Sequence, residues 1–146
     1  MTRLASAIMV VILCVSAPAH EGATGIVKER MDAMKALGAL TKDMADKIKG
    51  NRNLPSLSAD ADAIIATADR IPAWFPAGSA QKPTEAAPAI WTDPEGFAAS
   101  AVAMRKMAEA LKVKVEAGEP AGIAAQFRLL AQSCKSCHQG YRIIPK

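Results

Sequence analysis

From Thr24 to Lys49, apolar side chains recur at Val27, Met31, Met34, Leu37, Leu40, Met44 and Ile48. Steps of three and four gather them on one stripe of a helix and turn the intervening Lys and Asp residues outward. This is helix A, with Thr24 able to cap its start and Gly50 its end. A second stripe passes through Leu57, Ala61, Ile64, Ile65, Ala68 and Ile71, with Ser58 and Asp60 near its start and Pro72 marking its end or a kink. Between Phe75 and Trp91, "FPAGSAQKPTEAAPAIW" brings prolines and glycine where periodicity stops, which predicts a long surface connection after helix B. Thr92-Asp93-Pro94-Glu95 has the spacing of a capping box with proline in the first turn. Phe97, Ala101, Met104, Ala108, Leu111 and Val115 then continue as helix C, closed by Gly118. The last stripe, helix D, starts after Pro120 and runs through Ile123, Phe127, Leu130, Ala131, Cys134, Cys137, His138 and Tyr141 until Pro145 stops it. No segment alternates apolar and polar residues as a half-buried strand would. The prediction is an all-α, antiparallel up-down-up-down four-helix bundle.

Composition changes this picture in one respect. The stripes are rich in alanine, and only 4% of the chain is aromatic. Small side chains let helices approach closely, yet each buries little apolar area, at about 25 cal/mol per square ångström. A large apolar cofactor would supply the missing volume.

The first residues carry a different message: Arg3, an apolar run from Leu4 to Val15, and the small-residue pattern Ala17-Pro18-Ala19. That is the layout of a secretory signal peptide, and the run is short against the roughly 20 residues a membrane span needs. Residues 1–19 are therefore expected to be cleaved, taking Cys14 with them, and to leave residues 20–146 as one domain without a membrane span. Without Arg3, 17 of the 18 basic residues face 14 acids. They are scattered, with no basic block and no aromatic interleaving, which argues against nucleic acid as a partner.

Export leaves two cysteines, Cys134 and Cys137, followed at once by His138. On a helix these positions, i, i+3 and i+4, leave from one face. Two thiols so placed can add to the vinyl groups of a haem while the adjacent imidazole reaches its iron, the C-x-x-C-H pattern of covalently attached haem c. A redox dithiol would stand at the start of a helix after a strand, whereas this pair is near a helix's end. Zinc would want four ligands, and the only other histidine is His20 at the terminus. A plain disulfide leaves His138 without a role. Covalent haem uses every residue of the motif.

In an antiparallel bundle, residues early in A and C lie level with His138, late in D. Met34 is ten residues into A and Met104 about eleven into C, a rise of about 15 Å at 1.5 Å per residue. Geometry thus admits Met31, Met34, Met104 and Met107 opposite the imidazole, while Met44 lies too far along. Methionine at helical spacing also simply fills cores.

The stretches "VKERMDAMKALG", "FPAGS", "APAIW" and "CKSCHQGYR" together resemble the class II cytochromes c, four-helix bundles that include cytochrome c-prime and the methionine-ligated cytochrome c-556. The resemblance spans essentially all of residues 20–146. It implies one haem c per chain, held by thioethers to Cys134 and Cys137, with His138 as proximal ligand. It places Met34 at the family's distal position, bound to iron in low-spin members and an unbound apolar lid in high-spin ones. Arg142, four residues beyond His138, resembles the arginine beside the proximal imidazole. Arg30, one turn before Met34, either approaches a haem propionate or is an exposed charge. Trp74 and Trp91 flank the connection as packing residues.

Two functions follow from the resemblance. With Met34 bound, the protein is a periplasmic electron carrier with His/Met-ligated low-spin iron, exchanging electrons with redox partner proteins and not an enzyme. With Met34 only packing, it is a high-spin, five-coordinate cytochrome c-prime that binds nitric oxide or carbon monoxide. Methionine at position 34, "APAIW" and "CHQGYR" look closer to the low-spin members, so the carrier is the expected reading. Family dimers pair through helices A and B, which leaves a homodimer possible here.

Overall fold

The computed structural model describes residues 22–143; the expected signal segment, His20 and Pro145 lie outside them. Helix A is α1 (Gly25–Lys49) and helix B is α2 (Leu57–Arg70), entered through a 3-10 turn at Leu54–Ser56. A second 3-10 turn, Pro72–Trp74, and a one-turn helix α3 (Ala89–Thr92) frame the connection. Helices C and D are α4 (Pro94–Glu116) and α5 (Pro120–Tyr141). The bundle is therefore all-α, and among the described residues the only β pairing is one isolated bridge, Ala86 to Arg142.

The helix ends show how local chemistry departs from the simplest reading. Gly50 stays in the right-handed region, at φ −82°. Asn51, at φ 46°, makes the left-handed turn instead. The Arg52 amide donates to the Lys47 carbonyl and the Asn51 amide to that of Ile48, the Schellman pattern with asparagine where glycine is commonest. Thr24 makes no side-chain cap. At α4 the cap is Asp93, whose carboxylate accepts from the Gly96 amide at 3.1 Å, so the expected Thr92–Glu95 box is replaced by a cap one residue later. Gly118 does close α4, at φ 67°. Its N–H donates to Val115 O. Helix α5 ends at Tyr141, before Pro145, because Arg142 turns extended to pair with Ala86.

Packing is uneven around the bundle. Leu57, Ile64, Ala68, Ala101, Ala108, Leu111, Ile123 and Leu130 close the α2–α4–α5 side, and most of them are sealed from solvent. Helix α1 sinks only Val27, Arg30 and Met44 to that depth. Its Met34, Leu37, Leu40 and Ile48 touch the core cluster but stay half-buried. Lys47 reaches across to Asp60 at 2.8 Å and ties α1 to the first turn of α2.

Candidate functional site

Between α1 and the C-terminal half of α5 lies an open cleft of about 540 Å³, within the range of ligand sites. Thr41 contributes from α1; Phe127, Leu130, Ala131, Cys134, Lys135, His138 and Gln139 contribute from α5, with Arg142 just beyond its end. These α5 positions step alternately by three and one, so each has another three or four residues away and one face of the helix supplies this wall. Cys134 and His138 stand on it together, as their spacing requires. Cys137 is one turn from Cys134 and packs partly buried beside Tyr141 against the core.

Both cysteines are free thiols. Burial pushes each thiol above its ordinary pKa, so they rest protonated at neutral pH. A redox dithiol would need the opposite shift. Partial desolvation, and secondarily the charge of Arg142, hold the His138 imidazole below its usual range. A neutral imidazole and a protonated thiol on the cleft wall, with a second protonated thiol one turn away, are a donor set that fits haem c.

The methionines take different places. Met104 and Met44 are core residues, 6% and 0% exposed. Met107 is half-buried, and its sulfur accepts from Gln126 at 3.6 Å. Met34 packs half-buried against the core cluster, and the α1 residue at the cleft wall is Thr41, two turns further on.

Arg30 is neither an exposed charge nor a free arm. It is 2% exposed. One terminal nitrogen donates to Trp74 O and Ser79 Oγ, the other to Ser79 O at 2.7 Å and Thr84 Oγ1 at 2.8 Å. Its guanidinium also lies 4.6 Å from the centre of the Phe75 ring. No carboxylate is among these partners, and burial lowers its pKa. The cation thus organises the connection, which is held rather than loose. Trp91 Nε1 donates to the carbonyls of Phe75 and Pro76, and Trp74 Nε1 to Glu29.

The far end of the connection meets the end of the cleft. Ala87 N donates to Tyr141 O, and Ile143 N to Glu85 O at 2.7 Å. Arg142 donates to Glu85 Oε2 from both Nε, at 2.8 Å, and a terminal nitrogen, at 2.6 Å. Arg142 therefore stands at the cleft with His138 and is held there by Glu85. Tyr141 donates to Asp93 at 2.7 Å and stacks edge-on to Phe97, itself edge-on to Phe75. Spacing did not mark Glu85, and it placed Asp93 inside the capping stretch without indicating Tyr141 as its partner.

A family model described as Cytochrome C' matches residues 25–142. The chain is 35% identical over 118 residues to a cytochrome c' of Pararhodospirillum photometricum, covering 80% of this chain and 94% of that one. It is 32% identical over 121 residues to a cytochrome c-556 of Agrobacterium tumefaciens (strain B2A), covering 82% and 98%. Among solved structures, a nitric oxide complex of a cytochrome c prime variant from Alcaligenes xylosoxidans superposes with a TM-score of 0.73 at 25% identity, covering 82% and 94%.

Proposed function

The chain belongs to the cytochrome c' family, whose members carry covalently attached haem c, and we propose that it is a periplasmic, five-coordinate member that binds a small neutral gas and exchanges single electrons. Haem c, when bound, supplies an iron that changes oxidation state by one electron and accepts a diatomic ligand. Cys134 and Cys137 would hold it through thioethers, and His138 would give the axial nitrogen. Phe127, Leu130 and Ala131 would keep water from the wall. Arg142, positioned by Glu85, would set the charge next to the imidazole. Arg30 would offer a buried positive charge toward a propionate, while its terminal N–H groups stay committed to the connection.

The observation that carries the five-coordinate reading is the place of Met34, half-buried against the core cluster, while Thr41 is the α1 residue in the cleft wall. The reading expected from the sequence is ligation by His138 and Met34; the nitric oxide complex of the Alcaligenes relative supports the five-coordinate one. The likeness to cytochrome c-556 favours the second reading, a low-spin carrier with Met34 bound. No catalytic residue is assigned in either. Among the described residues no helix is long and apolar enough to cross a membrane, and pairing into a homodimer through α1 and α2 fits both readings.

Optical spectra of the ferric and ferrous protein, with and without carbon monoxide, beside Met34→Ala, decide between them. The expected result is a high-spin spectrum that the substitution leaves alone and that carbon monoxide converts readily. A methionine-to-iron charge-transfer band, lost in the variant, would overturn it in favour of the carrier.

A further inference from the structure

The two helices that wall the cleft share a pattern unrelated to their apolar stripes. Helix α1 places a lysine every seven residues, at Lys28, Lys35, Lys42 and Lys49, and the α5 segment does the same with Arg128, Lys135 and Arg142. Seven residues fall only about 20° short of two full turns, so each set forms a nearly straight line along its helix. The whole of α5, Pro120–Tyr141, contains no Asp or Glu.

The direction of these lines follows from neighbouring contacts. On α1, Glu29 reaches Arg70 and Trp74, and Lys47 reaches Asp60, so that flank looks toward α2. At about 100° per residue, Lys49 and Lys42 lie about 80° and 100° past Thr41, on the cleft side, whereas Lys35 and Lys28 lie about 120° and 140° past it and turn outward from the bundle. On α5, Lys135 and Arg142 line the cleft themselves. The α5 rail therefore lines the cleft, the C-terminal half of the α1 rail flanks it, and every cation in both is exposed.

Acids offset part of this charge. Lys28 pairs with Asp32, Lys42 with Asp46 and Arg142 with Glu85. Of those on the cleft side, Lys49, Arg128 and Lys135 form no ion pair among the described residues. They give the rim of the cleft one sign.

We propose that this face docks an acidic protein surface and presents the cleft edge to it for electron exchange; the proposal rests on the haem-carrying reading above. The rails lack the apolar face by which a helix lies in a membrane interface and the aromatic residues that stack on nucleic-acid bases. Cations about 10 Å apart on two rigid lines suit carboxylates spread over a folded surface. Such complementarity acts chiefly on the rate of encounter, and it weakens with salt because screening sets in over about 10 Å at 0.1 M.

The test uses the haem-loaded protein, its Arg128→Glu/Lys135→Glu variant, and Lys106→Glu/Lys114→Glu as a control of equal charge change on α4. Oxidation of the ferrous form is timed with ferricyanide, an anion, and with tris(phenanthroline)cobalt(III), a cation. Binding is measured to poly-L-glutamate and to phosphatidylglycerol vesicles. In the rail variant, ferricyanide oxidation is expected to slow about tenfold at low salt and the cobalt reaction to quicken, with poly-L-glutamate binding lost. The control should change each far less. Equal effects in the two variants would reduce the rails to net charge and overturn the proposal. Vesicle binding that exceeds poly-L-glutamate binding and is lost in the rail variant would overturn the choice of a protein partner. Spectra of the same samples separate the two ideas, since a chain without haem fails the underlying reading, whereas normal haem with unmoved rates fails only the docking.

Discussion

The α2–α4–α5 side of the bundle and its α1 side are built from similar amounts of alanine, leucine and isoleucine, yet they finish differently. On the first, Leu57, Ile64, Leu111, Ile123 and Leu130 are sealed from water by one another. On the second, Met34, Leu37, Leu40 and Ile48 stop half-buried, and the cleft with Cys134 and His138 opens beside them. The first side closes on side chains alone. The second has its apolar stripe shaped for something larger than a side chain, and it relies on polar fastenings, Arg30 and Glu85, to hold the wall's surroundings in place.

The largest effect should come from the closed side. Leu111→Ala removes a fully buried side chain and should cost about 2–5 kcal/mol in urea unfolding. Leu40→Ala, half-buried on α1, should cost less than half as much. Equal losses would break the comparison. Arg30→Met comes next. It removes a buried cation that no acid neutralises, which offsets part of the damage, but strands the Ser79 and Trp74 carbonyls. A net loss of about 1–3 kcal/mol is expected, with faster hydrogen exchange in the connection. Unchanged exchange there would mean that the prolines alone hold it.

Much of this was legible beforehand. Spacing alone located four long helices, and Cys134, Cys137 and His138 had to share a face once α5 was helical. What stayed hidden was long-range and aperiodic. Arg30 finds its acceptors 44 to 54 residues downstream, in a stretch whose prolines remove any repeat that could announce a contact. The left-handed Asn51 was hidden by an adjacent glycine that is the commoner choice. Methionine periodicity offered four candidates for the cleft, because helical spacing gives the face of a residue but not how far two helices stand apart. The period-seven cations were visible as letters, yet only the contacts of Glu29, Lys47 and Lys135 show which way they look.

Smaller still is a pH-gated loss at Asp93, on the closed side's edge. The hydrogen bond from Tyr141, and then that from the Gly96 amide, hold its carboxyl below the ordinary carboxylate pKa. A depressed folded value means that the stabilisation is complete above the unfolded pKa of about 3.9 and fades as pH falls through the folded one. Asp93→Asn keeps a capping oxygen and removes only the charge. Its deficit in melting temperature should be constant near neutrality and shrink below about pH 4. A deficit that persists in acid would assign the effect to geometry instead of charge.

The smallest change in stability should come from Glu85→Gln, at the edge of the open side. Both partners of the Glu85–Arg142 pair are about half exposed, and such pairs contribute at most about 1 kcal/mol. The backbone bonds of Ala87 and Ile143 do not depend on the carboxylate. Stability should therefore barely move. The charge beside His138 should move more, because Glu85 is the acid that offsets Arg142, and Arg142 already depresses the imidazole's proton affinity. Uncompensated positive charge next to the axial ligand favours the reduced, less positive iron, so the midpoint potential in a redox titration should rise. A potential that stays fixed while stability falls would reverse the assignment, making Glu85 a structural fastening of the bundle's end and leaving Arg142 without influence on the site.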